Sequence, residues 1–299
     1  MTGAEIEDTY AEAFRSYFSR VLITAAEPSL ATMAASSATG YATSALGCGV
    51  EAGLDTAVPA GGTPDSRPGV LVQFHIWRKS PKMMYDTLLN RIGHCVLTSP
   101  TTAVFDATPK PFTRVELGSK LKYFGDGYEG EVTLGEREMI TIPIMGGEFL
   151  AERDVGMSRG VSGGNLWLMG RSTEATIEAA RSCVKAISGI DGSITPFPGG
   201  ICSSGSKVGA DRYSFLANST NHPYCPTIKD RVTDSMVPDG VSSIMEIVIN
   251  GTNLKSVRRA MGVGIEAAMD CDGLVRISAG NFGGELGKYR IGLRDLLEV

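Results

Sequence analysis

Histidine and tryptophan are scarce in this 299-residue chain, with three of the first and two of the second, and its six cysteines include no C-x-x-C pair. His222 lies three residues before Cys225 in HPYC, but a turn residue beside a buried thiol accounts for that spacing without a metal. The thiols Cys48, Cys95, Cys183, Cys202, Cys225 and Cys271 are scattered and read as reduced core or loop residues, not as a disulfide frame. No cationic excess is present either: a formal net charge of -5 removes the electrostatic reason to expect nucleic acid or an anionic membrane as partner. No stretch has the unbroken apolar length of a membrane span. The N-terminal MTGAEIEDTYAEAF lacks the basic and apolar regions of a signal peptide, so a cytoplasmic protein is expected.

Two familiar site signatures are also missing. Gly200 and Gly205 have phosphate-loop spacing, but Ser206 separates Gly205 from Lys207 and breaks the required Gly-Lys adjacency. GVSGG at 160–164 fits G-x-S-x-G as a string, yet it precedes a strand instead of joining strand to helix, which makes Ser162 a poor nucleophile.

What the chain does have is glycine, 37 residues of it, gathered in GVSGGN (160–165), PFPGGICSSGSKVG (196–209) and SAGNFGGELG (278–287). Such loops bring backbone N–H groups close to a ligand, and they also make plain hairpin turns; for any single loop the turn is the stronger reading. The length favours two domains, placed at 1–150 and 151–299.

A strand followed by an apolar-striped helix recurs four times. RVLITAA precedes PSLATMAASSA, with Pro28 suited to a first helical turn. GVLVQFHIW precedes a helix capped by Ser80, with Met84, Leu88, Ile92 and Val96 on one stripe. GNLWLMG precedes a helix striped by Ile177, Ala180, Val184 and Ile187. SIMEIVING precedes one striped by Leu254, Val257, Met261, Ile265 and Ala268, and the chain returns through GLVRISAG. Two such units per half predict an α+β fold of two lobes with duplicated split βαβ (ferredoxin-like) cores, helices covering one face of mostly antiparallel sheets.

Within the last of these strands one acidic residue, Glu246, shares a face with Ile244 and Val248 while Met245, Ile247 and Ile249 line the other. A carboxylate on an apolar strand is costly unless paired or protonated, so Glu246 is either a structural ion pair or an acid-base group with a raised pKa. The segment YSFLANSTNHPYCPT (213–227) is aperiodic and rich in aromatic, amide and hydroxyl groups; it reads equally as a holder of a flat heterocycle and as an ordered surface loop.

Taken together, AEIEDTYAEAF, LNRIGHCVLTSPTTAVFDA, YFGDGYEG, PFPGGI, SKVGADRYSF, STNHPYCPT, EIVING, VGIEAA and ISAGNFGGELGKY resemble formylmethanofuran:tetrahydromethanopterin formyltransferases over about residues 4–297. The resemblance implies transfer of a formyl group between N5 of tetrahydromethanopterin and the primary amine of methanofuran or a similar furan carrier, both as substrates and without a tightly bound cofactor or metal. It implies homo-oligomers, dimers or tetramers, with the active-site cleft at a subunit interface. It also identifies Glu246, in EIVING, with the family's catalytic carboxyl. The charge balance, milder than in archaeal relatives, points to a bacterial counterpart similar to a subunit of a formyltransferase/hydrolase complex, acting in formaldehyde oxidation toward formate. Motif membership and chemistry add Gly199, Gly200, Lys207, Tyr213, Asn221, Tyr224, Asn250, Asn281 and Gly283 as candidate substrate contacts. Backbone N–H groups of a glycine loop are the expected oxyanion donors. The rival reading is a catalytically silent scaffold or small-molecule-binding subunit of the same fold.

Overall fold

The computed structural model describes residues 3–203 and 206–297; Gly205, of the phosphate-loop spacing, lies outside them. The chain enters through β1 (Glu5–Ile6) and the long β2 (Tyr10–Thr24), then forms α1 (Pro28–Thr39), β3 (Thr43–Ser44), β4 (Val50–Val58) and β5 (Gly69–Ile76). Helix α2 (Pro81–Arg91) leads to β6 (Ala103–Asp106), β7 (Thr113–Glu116) and the one-turn α3 (Gly118–Leu121). A meander of β8 (Gly130–Leu134), β9 (Arg137–Ile144) and β10 (Gly147–Glu152) precedes the long β11 (Asp154–Gly170) and α4 (Thr173–Ile187). Then come β12 (Ser193–Ile194), β13 (Ser206–Val208), β14 (Asn218–Thr220), β15 (Ser243–Gly251), α5 (Leu254–Ala268), β16 (Leu274–Ser278) and β17 (Tyr289–Gly292). No helix among the described residues is long and apolar enough to cross a membrane.

Two compact units result, one of residues 16–160 and one that joins 1–15 to 161–299. In the first, β2-α1-β4-β5-α2-β6 pair in the order β4-β5-β2-β6, all antiparallel. In the second, β11-α4-β12-β15-α5-β16 pair in the order β12-β15-β11-β16, again antiparallel. Each unit therefore carries the split βαβ arrangement that the repeated strand-helix pattern predicts, and the α+β class holds.

Local chemistry explains the helices. Pro28 and Pro81 occupy first turns, where a missing N–H costs nothing. Ser80 accepts from Met83 N–H at 3.1 Å and Ser172 from Ala175 N–H at 3.2 Å, while Asn253 and Ser256 form a reciprocal capping box on α5. In the 16–160 unit Val21, Ile23, Val72, Phe74 and Ile76 pack under Ala31, Ala35, Met84 and Leu88, with Ile92 and Val96 buried as expected. In the other unit the stripe on α4 is rotated from expectation: Thr176, Ala179, Ala180, Cys183 and Ile187 face inward, whereas Ile177 and Val184 are only half-buried. Helix α5 packs against that inward face, and small residues permit its close approach.

The 16–160 unit also buries a polar chain on the sheet face opposite its helices. His75 lies 3.0 Å from Ser16 Oγ through Nδ1 and 2.8 Å from Gln73 Oε1 through Nε2. Gln73 Nε2 donates to Asp55 Oδ2 at 2.5 Å, and Arg20 Nε donates to the same oxygen at 2.8 Å. Burial pushes the His75 imidazole down to about 3, so the ring is neutral at physiological pH.

Candidate functional site

Glu246 sits at the middle of β15, and its backbone is tied on both edges. On one side it pairs with Trp167 of β11. On the other, the PFPGGIC segment folds back so that Cys202 N–H donates to Glu246 O at 2.8 Å and Glu246 N–H donates to Cys202 O at 2.8 Å. The alternation of β15 sends Ile247 and Ile249 into the core beneath α4 and α5, and Glu246 to the opposite face. Directly paired residues on antiparallel strands share a face, so Trp167 stands beside Glu246 there. Glu246 is half-buried, at the wall of a cavity, instead of being enclosed as the apolar strand suggested.

The cavity measures about 230 Å³, and Glu246, Trp167, Ser203, Asn221, Tyr224 and Cys225 contribute to its wall. That volume is below the range typical of whole-ligand pockets, so it suits the reacting end of a large substrate and not an entire carrier. Tyr224 meets Trp167 edge-on, with ring centroids 4.5 Å apart at 62°. Burial, with the charge of Glu7 adding to it, pushes the Tyr224 phenol above its ordinary range, which keeps the hydroxyl protonated as a donor. The indole Nε1 of Trp167 is buried without a hydrogen-bond partner among the described residues. Gly280 lies flat against that ring, where a Cβ would come within 2.6 Å of Cζ2.

Of the residues singled out in the sequence, Glu246, Asn221 and Tyr224 are brought together at this cavity. Gly199 and Gly200 belong to the segment that returns to Glu246, both with left-handed backbones (φ 63° and 79°). A Cβ on Gly199 would meet nothing, while one on Gly200 would lie 2.7 Å from both Val184 Cγ1 and Thr195 Oγ1, so Gly200 is required by packing. Lys207 stands on the β13-β14 hairpin and donates to Asp211 at 2.6 Å. Tyr213 is exposed, with the Arg212 guanidinium 5.6 Å over its ring. Asn250 is fully buried and accepts from Gly163 N–H at 2.9 Å, which pins the irregularity in β11 between Val161 and Gly164. Asn281 and Gly283 lie on the glycine-rich 278–287 loop, where Asn281 Oδ1 accepts from Gly283 N–H at 3.2 Å and Asn281 Nδ2 donates to Tyr10 O at 3.2 Å. None of these last five lines the cavity.

That same loop closes on a residue sequence reasoning passed over. Glu12, on β2, accepts backbone N–H bonds from Phe282, from Gly284 at 3.1 Å, Leu286 at 2.9 Å and Gly287 at 2.7 Å. Burial opposes its charge, but the four backbone donors together hold the carboxyl below its usual range. These N–H groups are thereby committed, so the loop does not offer them to an oxyanion. Among the residues that line the cavity, Tyr224, Asn221 and Ser203 carry side chains able to donate a hydrogen bond. In AEAF the flanking alanines give Glu12 no local mark, and its partners come from the far end of the chain. Trp167, one of only two tryptophans, was legible by its scarcity. Among the described residues no cluster of three or more His, Cys, Asp or Glu is arranged to hold a metal ion.

Comparison with known proteins covers almost the whole chain. Residues 1–144 match the family model of formylmethanofuran-tetrahydromethanopterin formyltransferase, and residues 147–296 match the model of its proximal lobe. The chain is 50% identical over 296 residues to the formylmethanofuran--tetrahydromethanopterin formyltransferase of Methanothermobacter thermautotrophicus, covering 99% of each. It is 48% identical to that of Methanocaldococcus jannaschii, covering 100% of this chain and 99% of the relative. Among solved structures, the Methanosarcina barkeri formyltransferase superposes with a TM-score of 0.94 at 46% identity, covering 98% of both chains. A chain of the formyltransferase/hydrolase complex from Methylorubrum extorquens, solved with methylofuran, gives a TM-score of 0.90 at 41% identity, covering 98% of this chain and 96% of that one.

Proposed function

Because the chain belongs to the formylmethanofuran-tetrahydromethanopterin formyltransferase family, we propose that it transfers a formyl group between N5 of tetrahydromethanopterin and the primary amine of methanofuran or a methanofuran-like carrier, with Glu246 carrying the proton. The observation that supports the role of Glu246 is its place: a carboxylate fixed by backbone pairing on both edges, at the wall of a cavity flanked by aromatic and amide side chains. Attack of the acceptor nitrogen on the formyl carbon forms a C–N bond and a tetrahedral adduct whose oxygen is negative. Collapse breaks the donor C–N bond. The attacking nitrogen must lose a proton and the leaving nitrogen must gain one, and a single carboxylate serves both steps in turn. The Tyr224 hydroxyl and the Asn221 amide are the donors suited to the adduct's oxygen. Trp167 and Tyr224 supply an aromatic corner against which a furan or pterin ring packs.

The likeness to the Methylorubrum complex supports a further reading: the chain acts in formaldehyde oxidation toward formate, within a cytoplasmic assembly that also contains hydrolase subunits or as a homo-oligomer of its own. The breaks between the two family models at 144 and 147 support 1–150 and 151–299 as the inherited division.

The test is the rate of formyl transfer from N5-formyl-tetrahydromethanopterin to a methanofuran-type amine, followed by pterin absorbance. Glu246→Gln is expected to slow the native rate at least about a hundredfold with an unchanged melting temperature. Equal rates in an equally folded variant would remove Glu246 from the chemistry. An inactive native chain that still binds the pterin would favour the scaffold reading.

A further inference from the structure

Helix α5 turns two different faces outward and inward. Val257, Ala260, Met261, Gly264, Ile265 and Ala268 are buried against the core. Beside that face runs a stripe of Leu254, Arg258 and Glu266, with the buried Gly262 between the last two, flanked by Lys255, Arg259 and Val263. With Leu296 these residues border a groove of about 660 Å³. Its floor is apolar, formed by Leu254, Val263 and Leu296, and Gly262 keeps it open: a Cβ there would lie 3.3 Å from Leu296 O.

The charge on this stripe runs against the helix's own interest. The N-terminus of a helix carries partial positive charge and favours acids, and its C-terminus favours bases. Helix α4 obeys, with Glu174 in its first turn and Lys185 in its last. Helix α5 has no acid in its first turn and no base in its last; Lys255, Arg258 and Arg259 crowd its start, and Glu266 lies toward its end. Lys255 and Arg259 are like charges four residues apart, which repel. None of the three cations has an ion-pair or hydrogen-bond partner among the described residues, although Arg258 is half-buried. A local rule broken three times without compensation marks a surface kept for something outside the helix.

We propose that this groove docks an acidic, amphipathic helical segment of a partner protein, its carboxylates on Lys255, Arg258 and Arg259 and its apolar side chains on Leu254, Val263 and Leu296. Charge complementarity selects the acidic segment, since the helix dipole adds to the field of three unneutralised cations. The apolar floor selects a polypeptide over a small anion, which would leave that floor uncovered. Its length does too, because Leu254 and Val263 stand about 14 Å apart along a helix rising 1.5 Å per residue.

The probe is a short fluorescent synthetic helix with leucine on one face and glutamate flanking it, measured by anisotropy against the full chain and against the double variant Lys255→Glu/Arg259→Glu. The native chain is expected to bind it, weakening with salt, and the variant to lose about tenfold or more of the affinity. The variant is expected to melt at the same or a higher temperature, because it now suits the helix dipole, and to keep its formyl-transfer rate. Failure of the probe to bind, or equal binding by the variant, overturns the proposal. So does an oligoglutamate binding as tightly as the amphipathic probe, which would make the site a plain anion patch. A change in the variant's sedimentation toward smaller species overturns it in favour of contact between copies of this chain.

Discussion

Two glutamates on strands show what a single residue's neighbours decide. Glu12 is buried and holds four backbone donors of one loop, while Glu246 stands at a cavity with its backbone tied on both sides. Replacing Glu12 by alanine leaves those N–H groups without their acceptor and is expected to lower stability by about 3 kcal/mol, measured by urea unfolding. Glutamine, which keeps one acceptor oxygen, is expected to lose less; equal stability of all three proteins would mean that the loop holds itself. The folded pKa of Glu12 lies below its unfolded value, so its stabilisation is present above the usual carboxylate range and is lost as pH falls through the folded pKa. In the sequence, Glu246 was legible because a charge interrupts an apolar run. Glu12 was not, because alanines on either side make its strand look merely small, and its partners lie some 270 residues away in the chain. Asn250, by contrast, drew notice for its motif and proved to brace β11, a role that depends on a tertiary contact no local pattern carries.

Elements were more legible than residues. All four strand-helix pairs form where periodicity, caps and prolines place them, since those signals are local. The rotated stripe of α4 is the instructive exception. Hydrophobicity alone favoured Ile177 and Val184, but the α4-α5 contact selects small side chains, and Gly264 of α5 marks how close it is. A Cβ at Gly264 would lie 2.8 Å from Cys183 Sγ, 3.2 Å from Ile187 Cδ1 and 3.3 Å from Leu166 Cδ1. Gly264→Ala gains about 1 kcal/mol of helix propensity. Overpacking a tight core costs about 1–3 kcal/mol, and three neighbours must give at once, so the variant is expected to be less stable in urea. A more stable variant would show that the two helices separate easily.

For the molecule as a whole, acid is the condition that separates the two units. His75 belongs to the 16–160 unit, and its pKa falls to about 3 in the fold. Since the unfolded imidazole takes up its proton near 6.5, that unit loses about 1.4 kcal/mol per pH unit as pH falls from that value toward the folded one. Glu12 belongs to the other unit and acts only below 4.5, the ordinary value of a glutamate carboxyl. Each unit holds one tryptophan, Trp77 and Trp167 respectively. In mild denaturant, Trp77 emission in a Trp167→Phe variant is expected to report unfolding at a higher pH than Trp167 emission in a Trp77→Phe variant. Coincident curves would count against this assignment. The discontinuous unit also has a history on the ribosome. Its strand β2 begins at Tyr10, but the strand that pairs with that beginning, β17, emerges only at 289–292. At about 5–20 residues per second, Glu12 waits on the order of ten seconds after the 16–160 unit is complete before its loop exists. During that interval the Tyr10–Ala13 stretch of β2 lacks its β17 partner and Glu12 lacks its cage, which leaves an open strand edge on the growing chain.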